Sequence, residues 1–440
     1  MSVTLPKEIN YTNPQSLPQG TTSRTVISSP SNGSSFQQSS IIQVDLIQGQ
    51  GMLVPESLYM RYKVSWTGQA AASTAVTGAA VKGTPVYSFF SRMETIIGSQ
   101  TVESITQYGQ MCNMVVNSRL NYSSKVGLAY PFGYNLASTA TGGFDNAVSA
   151  PNGGYITGAS GSSFFYAAPL PCILSAADRL VPISSMPSIR LQLSVDSLLN
   201  VIKQDTVTAN NTPTAFTITN FEVCYDVVTF SPLVEQAISA RGNGMIVLKS
   251  SSYLSSGVTL PISTPGTLEF VFNQRLASIK SVFLHLSGAD ATKLNGFFDS
   301  VDCTSSNGDY QFFIGGVPYP SRPLSTVLNK AGIFMEMSQS YGVAHDLLTS
   351  QFAINPTEFN YVNGSTTTIN QMGKFYPSCN VEKLSTNDAL LTGISSDGSP
   401  ISVRISLGTP TTVAQVIQLI CMFDCLLTID LQNKTVQVMQ

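Results

Sequence analysis

Apolar residues fall on every second position in segments scattered along the whole chain, and this spacing restricts the fold more than any other feature of the sequence. In Leu58-Tyr59-Met60-Arg61-Tyr62-Lys63-Val64-Ser65-Trp66, the set Leu58, Met60, Tyr62, Val64 and Trp66 alternates with Arg61, Lys63 and Ser65. Successive side chains of a strand point to opposite faces, so the pattern lays one face on a core and leaves the other solvated. Ile189, Leu191, Leu193 and Val195 alternate in the same way with Arg190, Gln192, Ser194 and Asp196. Leu419, Cys421, Phe423, Cys425, Leu427, Ile429 and Leu431 share one parity near the end. Further strands are expected over 41–47, 217–230, 268–272, 279–286 and 310–314, separated by Gly, Pro and Ser/Thr clusters. The fold class expected is all-β.

Helical spacing is rare. The clearest case is 231–242, where Ser231 suits the N-cap, Pro232 the first helical position, Arg241 the negative C-terminal end and Gly242 a left-handed stop. Ile105, Tyr108, Cys112 and Val115 mark a second, short helix, and Val327, Ala331, Met335 and Ser338 a third.

The two halves of the chain echo each other. Strand 59–66 runs into Thr67-Gly68 and strand 279–286 into Ser287-Gly288, an offset of 220 in a chain of 440 residues. Thr95-Ile96-Ile97-Gly98-Ser99 and Phe312-Phe313-Ile314-Gly315-Gly316 align at an offset of 217, and each precedes one of the two short helix candidates. Order and spacing therefore predict two similar β-domains. The boundaries expected are an extended N-terminal arm over 1–37, a first domain over 38–230, a helical linker over 231–243 and a second domain over 244–440. The stretches 67–85 and 138–163 read as long first-half loops that project towards partners, with 303–309 and 364–372 as shorter equivalents.

Composition removes several function classes. Only 11% of residues are charged, against about 25% in an average globular protein, so Ser, Thr, Asn and Gln must cover the surface. The net charge of −3, and an arm whose only cations are Lys7 and Arg24, give no electrostatic basis for strong direct nucleic-acid binding. The first thirty residues hold no apolar stretch of the secretory type. The most apolar run, 416–431, is broken by Gln418, Asp424 and Asp430 and falls short of a membrane span. Cys112, Cys172, Cys224, Cys303, Cys379, Cys421 and Cys425 contain no C-x-x-C pair and read as buried free thiols.

Catalysis finds few candidate groups. The chain has two histidines: His285 inside a strand, on the parity of Ser281 and so expected against a polar partner, and His345 in a loop-like stretch. There is no G-x-S-x-G, Walker A, G-x-G-x-x-G, H-E-x-x-H or EF-hand pattern. Glu94 and Glu103 flank a turn and could imitate a glycosidase pair, but strand-end carboxylates are common. Cys421 and Cys425 lack the companions of a metal site. No catalytic, cofactor-binding or metal-binding residue is assigned, no cofactor is expected, and the chain is read as a non-enzyme.

The two-barrel periodicity, the linker helix 231–241, the stretch Tyr87-Ser88-Phe89-Phe90-Ser91-Arg92-Met93-Glu94 through Val102-Glu103-Ser104-Ile105, and Gly315-Gly316-Val317-Pro318-Tyr319-Pro320 carry a likeness. The chain resembles the double jelly-roll major capsid proteins of tailless icosahedral DNA viruses, of the hexon-like and virophage-like lineage, over most of residues 38–440. The resemblance implies two tandem jelly-roll barrels and a structural, self-assembling role in the virion, built inside the host cell. It further implies a pseudo-hexagonal homotrimer contacting neighbouring capsomers and minor capsid or penton proteins, with long first-barrel loops facing outward. The neutral arm leaves genome condensation to another protein or to an internal membrane. Two other readings stay open: a jelly-roll carbohydrate-binding or adhesion protein, and a single jelly-roll capsid protein with a protruding β-domain.

Overall fold

The computed structural model describes residues 18–47, 51–67, 79–133, 163–204, 213–241, 244–287, 298–341, 373–383 and 390–440, with 354, 359 and 360. Single positions 19, 82, 121, 274, 397, 399, 412, 413 and 432 fall outside that description. Eight main strands, besides short ones at Ser35–Phe36, Met52–Leu53, Ala79–Val81 and Ile202–Gln204, build the first half: β1 Thr22–Ser28, β2 Ile41–Asp45, β3 Tyr59–Thr67, β4 Phe90–Ile97, β5 Gln100–Thr106, β6 Ser163–Pro169, β7 Ile189–Val195 and β8 Ala215–Thr229. Eight more build the second: β9 Met245–Leu260, β10 Gly266–Phe272, β11 Ile279–Ser287, β12 Gly308–Ile314, β13 Val317–Ser325, β14 Ser378–Asn380, β15 Ile401–Leu407 and β16 Gln415–Asp430, to which a final strand, Thr435–Met439, adds as a hairpin.

Strand order repeats without change. The first half has antiparallel sheets β1-β8-β3-β6 and β2-β7-β4-β5, and the second has β9-β16-β11-β14 and β10-β15-β12-β13. Each strand of the first half thus corresponds to the strand eight later. Two facing four-stranded sheets with this interleaved order form a jelly roll, and the chain contains two of them in tandem. Helix α1 (Tyr108–Arg119) follows β5, and α3 (Lys330–Ser340) follows β13 at the equivalent place. Between the barrels in sequence lies α2 (Pro232–Arg241); the Gly242 stop expected for it is outside the described residues.

The repeated apolar-glycine signature is the hairpin turn. Ile97 pairs with Gln100 across Gly98, whose φ is +64°, and Ile314 pairs with Val317 across Gly315 and Gly316 at +62° and +78°. Two-residue hairpin loops need positive φ to follow the strand twist, which L side chains resist. The other repeated pair ends its strands at Thr67 and Ser287, but Gly68 and Gly288 lie outside the described residues.

Alternation also packs as expected. Met60, Tyr62, Val64 and Trp66 are buried while Arg61 and Thr67 are exposed, and the odd-numbered residues from Leu419 to Ile429 are buried. Tyr62, Phe89, Phe90, Tyr166, Phe216 and Phe221 fill the first barrel, with Phe89 and Phe216 ring centres 5.2 Å apart and their planes inclined at 66°. The offset and edge-to-face geometry suits the aromatic quadrupoles.

Two expectations need correction. The segment 1–37 is not an arm throughout, because Thr22–Ser28 pairs residue for residue with β8, from Thr22 opposite Thr229 to Ser28 opposite Val223. Most of its side chains stay exposed, so no alternation marked it; residues 1–17 lie outside the description. Helix α3 exists, but Val327, Ala331 and Met335 are not its inner face. Met335 is 46% and Val327 59% exposed, while Ile333, Met337 and Ser338 pack inward. Its N-terminus is set by Asn329, whose Oδ1 accepts from the Gly332 amide at 2.8 Å. Of the expected loops, 138–162 and 364–372 lie outside the described residues.

Candidate functional site: the seam between the barrels

Among the described residues, His285 and Glu103, two of the groups with catalytic potential, are buried. His285 has no solvent exposure; its Nε2 lies 3.3 Å from the Phe298 carbonyl, its Nδ1 3.2 Å from Ser287 Oγ, and its ring stacks on Tyr376. Burial lowers its pKa to about 4, so the imidazole is neutral at physiological pH. The polar partner expected from strand parity is present. His345 lies outside the described residues. Glu94 and Glu103 stand on opposite faces of their hairpin: Glu94 is opposite Ser104 and pairs with Arg92 at 2.6 Å, while Glu103 is opposite Thr95 and turns inward. They do not flank a common space, so the glycosidase geometry is missing.

All seven cysteines are buried and free. Burial pushes the thiols of Cys172, Cys303, Cys379 and Cys421 up to about 12, and those of Cys112 and Cys425 further, which keeps them protonated and unreactive. Among the described residues no group of three His, Cys, Asp or Glu is placed to hold a metal ion. Trp66 is 1% exposed and offers no sugar-stacking platform. The Arg61-Tyr62-Lys63 alternation is a solvated strand face, with Arg61 bonded to Glu222 at 2.6 Å and Lys63 lying over the Phe165 ring.

What the fold does bring together is a polar seam between barrels. Glu103 of β5, 4% exposed, accepts from Thr95 Oγ1 at 2.8 Å, from the Ile173 amide at 3.0 Å and from Ser252 Oγ of β9 in the other barrel. Burial raises the Glu103 pKa and these three donors oppose the shift. Beside it Ser250 Oγ donates to the Ile173 carbonyl at 2.6 Å, and Thr106 and Ser255 bond each other through side chain and backbone. Lys249 and Asp178 exchange backbone and carboxylate bonds of 2.9–3.0 Å, and the Gln440 side-chain amide donates to the Val102 carbonyl. A second buried cluster locks the far barrel internally: Asp424 accepts from Ser278 and Thr392 and lies 3.6 Å from Lys280, which also meets Glu382 at 3.2 Å.

The arrangement is a pair of jelly rolls that meet along a polar seam, with no reactive centre assembled among the described residues. Solved structures share it. The Faustovirus major capsid protein matches with a TM-score of 0.60 at 10% identity, over 96% of this chain and 92% of that chain. The chain has a double jelly-roll fold. The double jelly roll of the mavirus major capsid protein matches with a TM-score of 0.57 at 11% identity, covering 100% of this chain and 95% of that one. A quasi-atomic description of the PBCV-1 virus capsid gives 0.59 at 8% identity over 98% and 99%. At such identities the double jelly roll is shared as a fold, not as a recognisable sequence. No protein-family model matches the chain, and no curated protein matches it either.

Proposed function

We propose that this chain is a structural capsid subunit that self-assembles, as a pseudo-hexagonal trimer, into an icosahedral viral shell. The observation that carries the reading is the unbroken correspondence of two eight-stranded barrels, matched in the Faustovirus and mavirus major capsid proteins over more than nine-tenths of each chain. Two barrels per subunit give a trimer six wall blocks and hence a six-cornered tile. Two antiparallel sheets packed on a shared apolar core make each block rigid. Sparse charge lets such tiles abut without accumulating repulsion.

On this reading the protein resides in the virion and is not an enzyme. It contacts other copies of its trimer and minor proteins at special positions, and binds nucleic acid weakly. Its first domain runs to residue 230 and takes in β1, which pairs with β8; 231–243 is the link and 244–440 the second domain. Light scattering of the purified chain tests the oligomer: three copies of 47.0 kDa give about 141 kDa, and imaging of the same peak should show a hexagonal outline. A stable monomer retained on immobilised glycans would replace the capsid reading by the adhesion one.

A further inference from the structure

Against the seam lies a cleft of about 340 Å³, near the lower limit of small-molecule pockets. Its floor is one face of α1. Met111, Cys112, Val115, Val116 and Arg119 recur at helical spacing and together line it. At about 1.5 Å rise per residue, the stripe is about 12 Å long, apolar for most of its length and cationic at its C-terminal end. Val115 and Val116 remain half-buried, although they lie between two barrels, because none of the described residues closes onto them. The opposite wall includes Pro169, Tyr253 and Met422.

Two polar groups of the cleft, Arg119 and Tyr253, are unspent. Among the described residues no carboxylate lies within 4.0 Å of the Arg119 guanidinium, which rests instead 5.8 Å from the centre of the Tyr341 ring. The Tyr253 hydroxyl makes no hydrogen bond among those residues either. Both groups line the cleft; burial raises the Tyr253 pKa, and the Arg119 charge acts in the opposite sense. The carboxylates of the cleft do not neutralise Arg119. Glu103 is held by its three donors, and Glu56 is exposed. Lys280, the other cation near Tyr253, is already engaged by Glu382 and Asp424.

We infer that this cleft binds an alkyl carboxylate, with Arg119 and Tyr253 holding the carboxylate and the α1 stripe of Met111, Cys112, Val115 and Val116 holding the chain. A planar guanidinium fork matches a carboxylate in bidentate geometry, and a phenolic O–H adds a third donor. One available cation suits a monoanion better than a phosphate dianion, and the narrow apolar floor suits an unbranched chain better than a ring system.

Calorimetric titration of the full-length chain with sodium decanoate, kept below its micellar range, tests the inference without relying on the capsid reading. Saturable binding at one site per chain is expected. Decanol and decylamine should bind at least about tenfold more weakly, the loss anticipated when a charge-assisted pair is removed. Arg119→Gln should reduce decanoate affinity by a similar factor. Val115→Phe, which fills the floor, should abolish binding, and circular dichroism and Tm confirm that both variants fold. Non-saturable uptake by the unaltered chain, equal affinity for decanol, or full binding by Val115→Phe would each overturn the assignment. The headgroup comparison is made on the unaltered protein, so it stands even if a variant is unstable.

Discussion

Buried titratable side chains are where this protein concentrates its pH sensitivity. His285 titrates near its ordinary value of 6.5 in the unfolded chain and at about 4 in the folded one, so the unfolded state binds the proton more readily. The stability it contributes is complete above pH 6.5 and is lost as the pH falls towards 4. The difference amounts to about 3 kcal/mol. Urea unfolding of the unaltered chain should therefore weaken across that window, and His285→Gln should flatten the slope there while lowering stability at pH 7. An unchanged slope would show that other groups carry the acid sensitivity. His285 also shows how far sequence reasoning reaches at this scale. Strand parity alone put it opposite a polar partner, but the identity of that partner, the Phe298 carbonyl, depends on a contact that no local pattern encodes.

At the scale of elements, the hairpins were legible because their constraint is local. Adding a Cβ to Gly315 or Gly316 meets nothing within 4 Å, so their requirement is backbone conformation alone. Gly316→Ala should then cost about 1 kcal/mol, and Gly316→Asn, whose side chain tolerates positive φ, should recover most of it; thermal unfolding distinguishes the two. A loss as large for Asn as for Ala would mean the turn is set by packing instead. The glycine at 393 makes the contrast, since a Cβ there would stand 2.2 Å from the Ile279 carbonyl oxygen and no turn signal explains it. Strand β1 and the inner face of α3 escaped the sequence for a related reason. An edge strand held by backbone bonds to β8 needs no alternating side chains. A helix with apolar residues on more than one face does not reveal which face the barrel will take.

For the molecule as a whole, the decisive joint is Glu103 with Ser252, residues 149 positions apart in the chain. Glu103→Ala would leave the Thr95 hydroxyl, the Ile173 amide and the Ser252 hydroxyl facing an empty site. The expected cost is about 3–5 kcal/mol. Ser252→Ala removes one donor and should cost about 1 kcal/mol. Calorimetry should show the barrels of the unaltered chain melting together and those of Glu103→Ala separating into two transitions. Coincident melting in the variant would show that the remaining seam contacts suffice. The sequence by itself determined the two-residue strand period, the glycines at the hairpin turns and, because these short patterns recur 217–220 positions apart, the expectation of two all-β units. Those signals are local, because side-chain alternation and positive φ act within a few residues. Only the tertiary structure decided that 22–28 completes the first barrel, that Glu94 and Glu103 part to opposite faces, and that Arg119 ends a cleft between the barrels. Each of these depends on which distant segments meet, and a weakly charged, Ser- and Thr-rich chain leaves few residue types distinctive enough to announce such meetings in advance.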